Sequence, residues 1–190
     1  MYHDMAVREL VCEDMETMKQ FLTFFASQTD QIERVRIYTY EEDFHMFFTN
    51  PDSGENRAYD GAIQEIGRKS MGYMFRILDL KGYFALQNHC QYSARREFTM
   101  KLQVEDDFMD ENNTDILLHV KEDKVLLTKD RAVDVILKTN IADLSSFVMG
   151  AIPLSSFIWT QRMEISDSSY LQDIENAIGW HEKPKNYTYF

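Results

Sequence analysis

Apolar and polar residues alternate or recur along this chain in a readable order. Residues 5–12 read as a short strand. Glu13-Asp14 then caps a helix whose stripe, Met15, Met18, Phe21, Leu22 and Phe25, recurs at three- and four-residue steps. Residues 34–40 alternate as a half-buried strand does. A second acidic cap, Glu41-Glu42-Asp43, precedes a short helix over 44–48, and 50–54 (Asn-Pro-Asp-Ser-Gly) is turn chemistry. Residues 55–70 are polar and weakly patterned. The apolar run 73–80 predicts a strand buried on both faces, broken by Arg76 and Asp79.

The texture changes after residue 80. Tyr83, Phe84 and Leu86 fit a short helix, and Phe98, Met100, Leu102 and Val104 alternate strictly with Thr99, Lys101 and Gln103, which predicts a strand. Residues 105–113 read as a solvated acidic turn, since they lack the glycine and spacing of a calcium loop. Residues 115–120 and 124–128 read as a hairpin across Glu122-Asp123, and 132–138 as a further strand. Three helices follow: 141–149, stopped at Gly150; Pro153 to about Thr160; and one with Tyr170, Leu171, Ile174, Ala177 and Ile178 on one face. The tail from Pro184 to Phe190 is extended and aromatic. The order predicts an α+β protein in two unequal parts, 1–80 and 81–190.

The net charge is −12, from 32 acidic and 20 basic residues. A duplex nucleic-acid partner or an anionic membrane would need a basic face, and none is visible, so neither is expected. A cationic amine would be attracted, although acidic balance is also ordinary in soluble proteins. The two cysteines, Cys12 and Cys90, form no disulfide framework and read as buried free thiols. The five histidines have no metal-ligand spacing. With no secretory leader and no apolar run near the ~20 residues that span a bilayer, a cytoplasmic protein is expected.

Catalytic signatures are missing: there is no phosphate loop, dinucleotide fingerprint or nucleophile elbow. Ser145-Ser146 and Ser155-Ser156 read as helix surface. Arg76 and Asp79 read as a structural ion pair with each other, or as a substrate contact. Trp159 and Trp180 read as core or interface anchors.

Several segments, in order, resemble the Eis (enhanced intracellular survival) family of bacterial N-acetyltransferases. The strand and helix from Arg8 to Phe25, and the strand and acidic turn from Arg34 to Asp43, resemble the late part of that family's second GNAT domain. Residues 72–80 (Gly-Tyr-Met-Phe-Arg-Ile-Leu-Asp-Leu) are similar to its aromatic–Met–x–Arg–Ile–x–Asp–Val signature. Residues 98–113 and 143–151 resemble the strand, Asn-containing turn and Leu-Ser helix of its sterol carrier protein type 2-like domain.

The resemblance implies a partial GNAT-like segment over 1–80 followed by a sterol-carrier-like antiparallel sheet with packed helices over 81–190. It implies the substrate-side and oligomerisation part of an acetyl-CoA-dependent amine N-acetyltransferase. The alternative is a non-catalytic module that binds an apolar ligand or a partner protein. The family's cofactor cradle, a turn of the Arg/Gln-x-x-Gly-x-Gly/Ala type, does not occur in this sequence. No acetyl-CoA binding by this chain alone is therefore expected, and its partner is either itself or a complementary acetyl-CoA-binding half. The carboxylate of Phe190 is the family-implied candidate general base, against the plain alternative of a free tail end.

Overall fold

The computed structural model describes residues 3–50, 66–69 and 72–185. They fall into two compact units. One holds residues 3–50, 66–69 and Lys185, and the other is Gly72–Pro184.

In the first unit, β1 (Asp4–Val7) and β2 (Arg34–Ile37) pair in parallel, Asp4 opposite Arg34, with α1 (Met15–Ser27) as the crossover between them. The Asp14 side chain starts α1 by accepting the Thr17 N–H at 2.7 Å. Arg36 pairs with Asp4 across the strands. A 3-10 turn, Phe44–Phe47, follows, with the Phe44 ring centroid 5.4 Å from that of Phe47 and 5.7 Å from that of Phe48. None of the described residues of this unit is fully buried. Parallel strands normally lie inside a sheet covered on both faces, so this βαβ piece has the pattern of a core element without a completed core.

The second unit is built on a five-stranded sheet. Its strands are β3 (Phe98–Glu105), β4 (Thr114–Lys121), β5 (Lys124–Thr128), β6 (Val135–Asn140) and β7 (Glu164–Ile165), in the order β5-β4-β3-β6-β7. All neighbours are antiparallel except β3 and β6, which run parallel. The hairpin expected across Glu122-Asp123 forms, with Glu122 at φ 53°. Phe98, Met100, Leu102 and Val104 of β3, Leu118 and Val120 of β4, and Leu137 of β6 turn to one face. Four helices meet them there: α2 (Leu80–Leu86), α3 (Ile141–Val148), α4 (Leu154–Trp159) and α5 (Leu171–Ile178) contribute Phe84, Phe147, Phe157 and Ile174, and Met163 fills the space after α4. Each such side chain contributes roughly 1.5–3 kcal/mol of transfer free energy, and together they fill the layer between helices and sheet.

The helix ends follow local chemistry. Asp79 caps α2 by accepting the Gly82 N–H at 2.8 Å, and Asn140 caps α3 by accepting the Asp143 N–H at 2.9 Å. α3 ends at Gly150, whose φ of +72° lets the Ala151 N–H reach the Ser146 carbonyl at 2.9 Å.

Residues 73–80 do not form the strand their apolar run suggests. The segment is extended up to α2 but has no ladder partner; side chains satisfy its backbone. The Ile77 N–H donates to Ser145 Oγ at 2.9 Å and the Leu80 N–H to Asn112 Oδ1 at 3.0 Å. Ile77 enters the core, while Met74 and Leu78 face solvent. Through these bonds residues 72–80, grouped by sequence with the first part, are tied to the second unit.

Candidate functional site

Phe190 lies outside the described residues. The turn expected over 50–54 and the polar stretch 55–70 do so as well, apart from Asn50 and residues 66–69. What the structure does place is a buried polar knot at the acidic turn, where residues 105–113 meet the entering segment 72–80.

The Asp106 carboxylate, wholly enclosed, accepts from the Phe108 N–H at 2.9 Å, the Met109 N–H at 3.0 Å, Asn112 Nδ2 at 2.9 Å and the Arg76 guanidinium. Asn113 clasps the backbone of the same residue, accepting its N–H at 2.6 Å and donating to its carbonyl at 2.7 Å. Asn112 is itself buried and also donates to the Leu78 carbonyl at 3.3 Å. Arg76 therefore pairs with Asp106 and not with Asp79, which is spent on capping α2. The Arg76 guanidinium also lies 5.4 Å from the centre of the exposed Phe108 ring. The expectation of a turn given over to solvent is corrected here: its outer residues are solvated, but Asp106 and Asn112 are interior.

Burial pushes the Asp106 carboxyl up, but the bonds from Asn112, Phe108, Met109 and Arg76 outweigh it and hold the carboxyl at about 2, against an ordinary value of 3.8. A carboxylate held that low is a fixed anion at neutral pH and a poor proton acceptor. Because its folded value lies below its unfolded one, it stabilises the fold above the unfolded value and ceases to as pH falls through about 2. Urea midpoints measured from about pH 5 downward should fall for the parent chain, and fall less for Asp106→Asn, which is weaker from the outset. Equal acid sensitivity in both would remove Asp106 from the account.

Two further Arg–Asp pairs brace the helices. Arg162 grips the buried Asp143 with two nitrogens, which raises the guanidinium value further through that hydrogen bond. Arg96 Nε donates to the buried Asp173 at 2.8 Å, and its guanidinium carbon lies 3.7 Å from the Tyr170 ring centre. Burial raises the Tyr83 phenol to about 12. Burial and then the Asp123 charge raise the Cys90 thiol. Neither group is poised to move a proton near neutrality.

Several sequence readings are corrected. Ser145 is fully buried, donating to the Ile141 carbonyl at 2.6 Å while accepting from Ile77. Trp159 is 85% exposed and Trp180 49%, so neither is a core anchor. Cys12 and Cys90 are free but only partly buried. Among the described residues, no group of three or more His, Cys, Asp or Glu is arranged to hold a metal ion, and no helix is long and apolar enough to cross a membrane.

Sequence reasoning missed the knot's central members, Asp106 and Asn112. The available signal was two asparagines inside an otherwise acidic turn, a residue type that bonds backbone groups locally.

The mixed sheet and its helix cover are those of a sterol-carrier-like unit. A family model described as a sterol carrier protein domain matches residues 85–187, and the chain belongs to that family. No curated protein sequence matches it. Among solved structures, it is similar to Eis1 from Mycobacterium abscessus at 15% identity and a TM-score of 0.66, over 100% of this chain and 44% of that one. It is likewise similar to GCN5-related N-acetyltransferases from Kribbella flavida (17%, TM-score 0.61, 97% and 43%) and from Anabaena variabilis (16%, TM-score 0.62, 95% and 42%). At these identities the likeness concerns the fold, and the chain spans less than half the length of each of these proteins.

Proposed function

We propose that this chain acts as the C-terminal, substrate-side portion of an Eis-type amine N-acetyltransferase, together with a GNAT half that holds acetyl-CoA. The observation that carries the reading is the likeness to acetyltransferase structures along almost the whole of this chain but under half of theirs. Coverage of both units matters, because a sterol-carrier module alone would leave the first unit unexplained.

Among the described residues, three helix N-termini are already occupied and offer no free cradle for the coenzyme's pyrophosphate. A helix N-terminus binds phosphate through free N–H groups. Here that end of α1 is taken by Asp14 with Glu16 beside it, that of α2 by Asp79, and that of α3 by Asn140 and Asp143. This occupancy supports assigning the cofactor to the other half. That half also suits the uncovered βαβ piece of the first unit, whose sheet edges and exposed Val11, Met15 and Phe24 are a liability unless paired. The net charge of −12 favours a cationic amine as acyl acceptor. Phe190 is the proposed general base, its carboxylate taking a proton from the ammonium group.

Mixing this chain with the complementary GNAT half should give acetyl transfer to a panel of amines, while the chain alone gives none and shows no calorimetric acetyl-CoA binding. Deleting Phe190 should abolish most of the reconstituted turnover. A micromolar acetyl-CoA affinity of the chain alone would contradict the division of labour. Unchanged turnover without Phe190 would remove the carboxylate as base.

A further inference from the structure

Chain connectivity forces an unusual crossing between β5 and β6. β5 is an edge strand and β6 lies beyond β4 and β3, so residues 129–134 must travel three strand spacings of ~4.8 Å each with no helix to carry them. They run as a strap over the start of β3. The Asp134 N–H donates to the Thr99 carbonyl at 2.9 Å, and the Thr99 N–H donates to Asp134 Oδ2 at 2.7 Å.

Next to Glu97, which Arg131 of the strap faces, lies a histidine where strand alternation would put a solvated side chain. His119 sits directly opposite Thr99 in the β3–β4 register and is 5% exposed. Its Nδ1 is 3.1 Å from Thr99 Oγ1. Its Nε2 is buried without a hydrogen-bond partner, yet lies 3.1 Å from Glu97 Oε1. Glu97 in turn faces Lys121 Nζ at 3.4 Å and Arg131 Nη1 of the strap at 3.9 Å.

We propose that His119 is a pH-responsive latch for the strap 129–134, tightening it when the imidazole becomes charged. In the neutral ring only one nitrogen carries a proton. In the charged ring both do, so Nδ1 donates to Thr99 Oγ1 while Nε2 gains a charge-assisted bond to Glu97. Glu97 is then held in place for Arg131, and Thr99 for Asp134, which ties the strap at two points.

The surrounding charges permit this. Two acids, Glu97 and Asp134, and two bases, Lys121 and Arg131, border the site, so an added proton meets no net positive field. The next row, Lys101 with Asp115 at 2.6 Å, is internally paired. From β5 the apolar Leu126 faces His119, and Lys124 sits opposite Lys121 one step further along.

The test is amide exchange on the full chain, corrected for the intrinsic pH dependence of exchange, with Leu102 as a core reference. Acidification from about pH 8 to about pH 5.5 spans the range in which an imidazole changes charge. Protection of the Thr99 and Asp134 amides should rise several-fold over that range, following the His119 ring resonances. His119→Gln should make both amides insensitive to pH. Glu97→Gln, at a half-exposed position that tolerates substitution, should do the same. Flat or falling protection in the parent chain, or a rise that persists in either variant, would overturn the latch.

Discussion

Replacing Asn112 by alanine should cost about 3 kcal/mol of unfolding free energy, because one side chain satisfies two buried groups and a third that is partly buried. Its Oδ1 accepts the Leu80 N–H at 3.0 Å, and its Nδ2 donates to Asp106 at 2.9 Å and to the Leu78 carbonyl at 3.3 Å. Alanine cannot replace any of these bonds, and at 2% exposure water cannot either. The Leu80 amide would be left unsatisfied at the start of α2, and Asp106 would lose a donor that holds its proton affinity down. Acid sensitivity should therefore move to higher pH in this variant. The neighbouring Asn113→Ala, at an exposed position, should cost about 1 kcal/mol, since water can take over part of its role. Urea denaturation of the two variants side by side is the measurement. Equal losses would show that burial of Asn112 is not what gives it weight.

Gly150→Ala should be comparably damaging, at roughly 2–4 kcal/mol, for a different reason. The backbone there is left-handed, at φ +72°, which costs any residue with a Cβ. That Cβ would also stand 2.5 Å from the Glu182 carbonyl oxygen and 2.8 Å from Trp180 Cβ. The two nearest contacts belong to the backbone and the root of a side chain, so neither can swing aside. The 180–182 stretch would have to lift from the end of α3. Increased proteolysis near Trp180, together with a lowered urea midpoint, is the expected signature. A variant as stable as the parent would mean that the stretch yields at little cost.

Much of the second unit was legible because its periods are strict. Phe98, Met100, Leu102 and Val104 alternate without exception, and the strand they predict runs from Phe98 to Glu105. Gly150 marks the end of α3 because a left-handed closing residue there favours glycine. The segment 73–80 misled for a physical reason: its apolar residues are split between an interior Ile77 and solvent-facing Met74 and Leu78. Its backbone partners, Ser145 and Asn112, are also remote in sequence. Arg76 was paired with Asp79 on proximity alone, whereas its true partner is brought in by the turn. β7 has two residues, too few to show a period. His119 could have been found by counting alternate residues along β4, which places it on the outer face. The strap that passes near it follows only from knowing the strand order. The candidate base, Phe190, rested on family resemblance, and nothing in residue pattern alone pointed to it.

The position of β3 between an antiparallel and a parallel neighbour has a consequence for biosynthesis. On the ribosome, β3, β4 and β5 can fold against one another as soon as they emerge, since each is the next segment of chain. The other edge of β3 must wait for residues 135–140. At ~5–20 residues per second, that leaves a strand carrying Phe98, Met100, Leu102 and Val104 with one row of amides and carbonyls unpaired for a few seconds. Chains on neighbouring ribosomes present the same edge at the same stage, so inclusion-body formation should depend on how fast the segment between β5 and β6 is translated. Slow codons placed there should lower the soluble yield of a protein whose finished fold is unchanged.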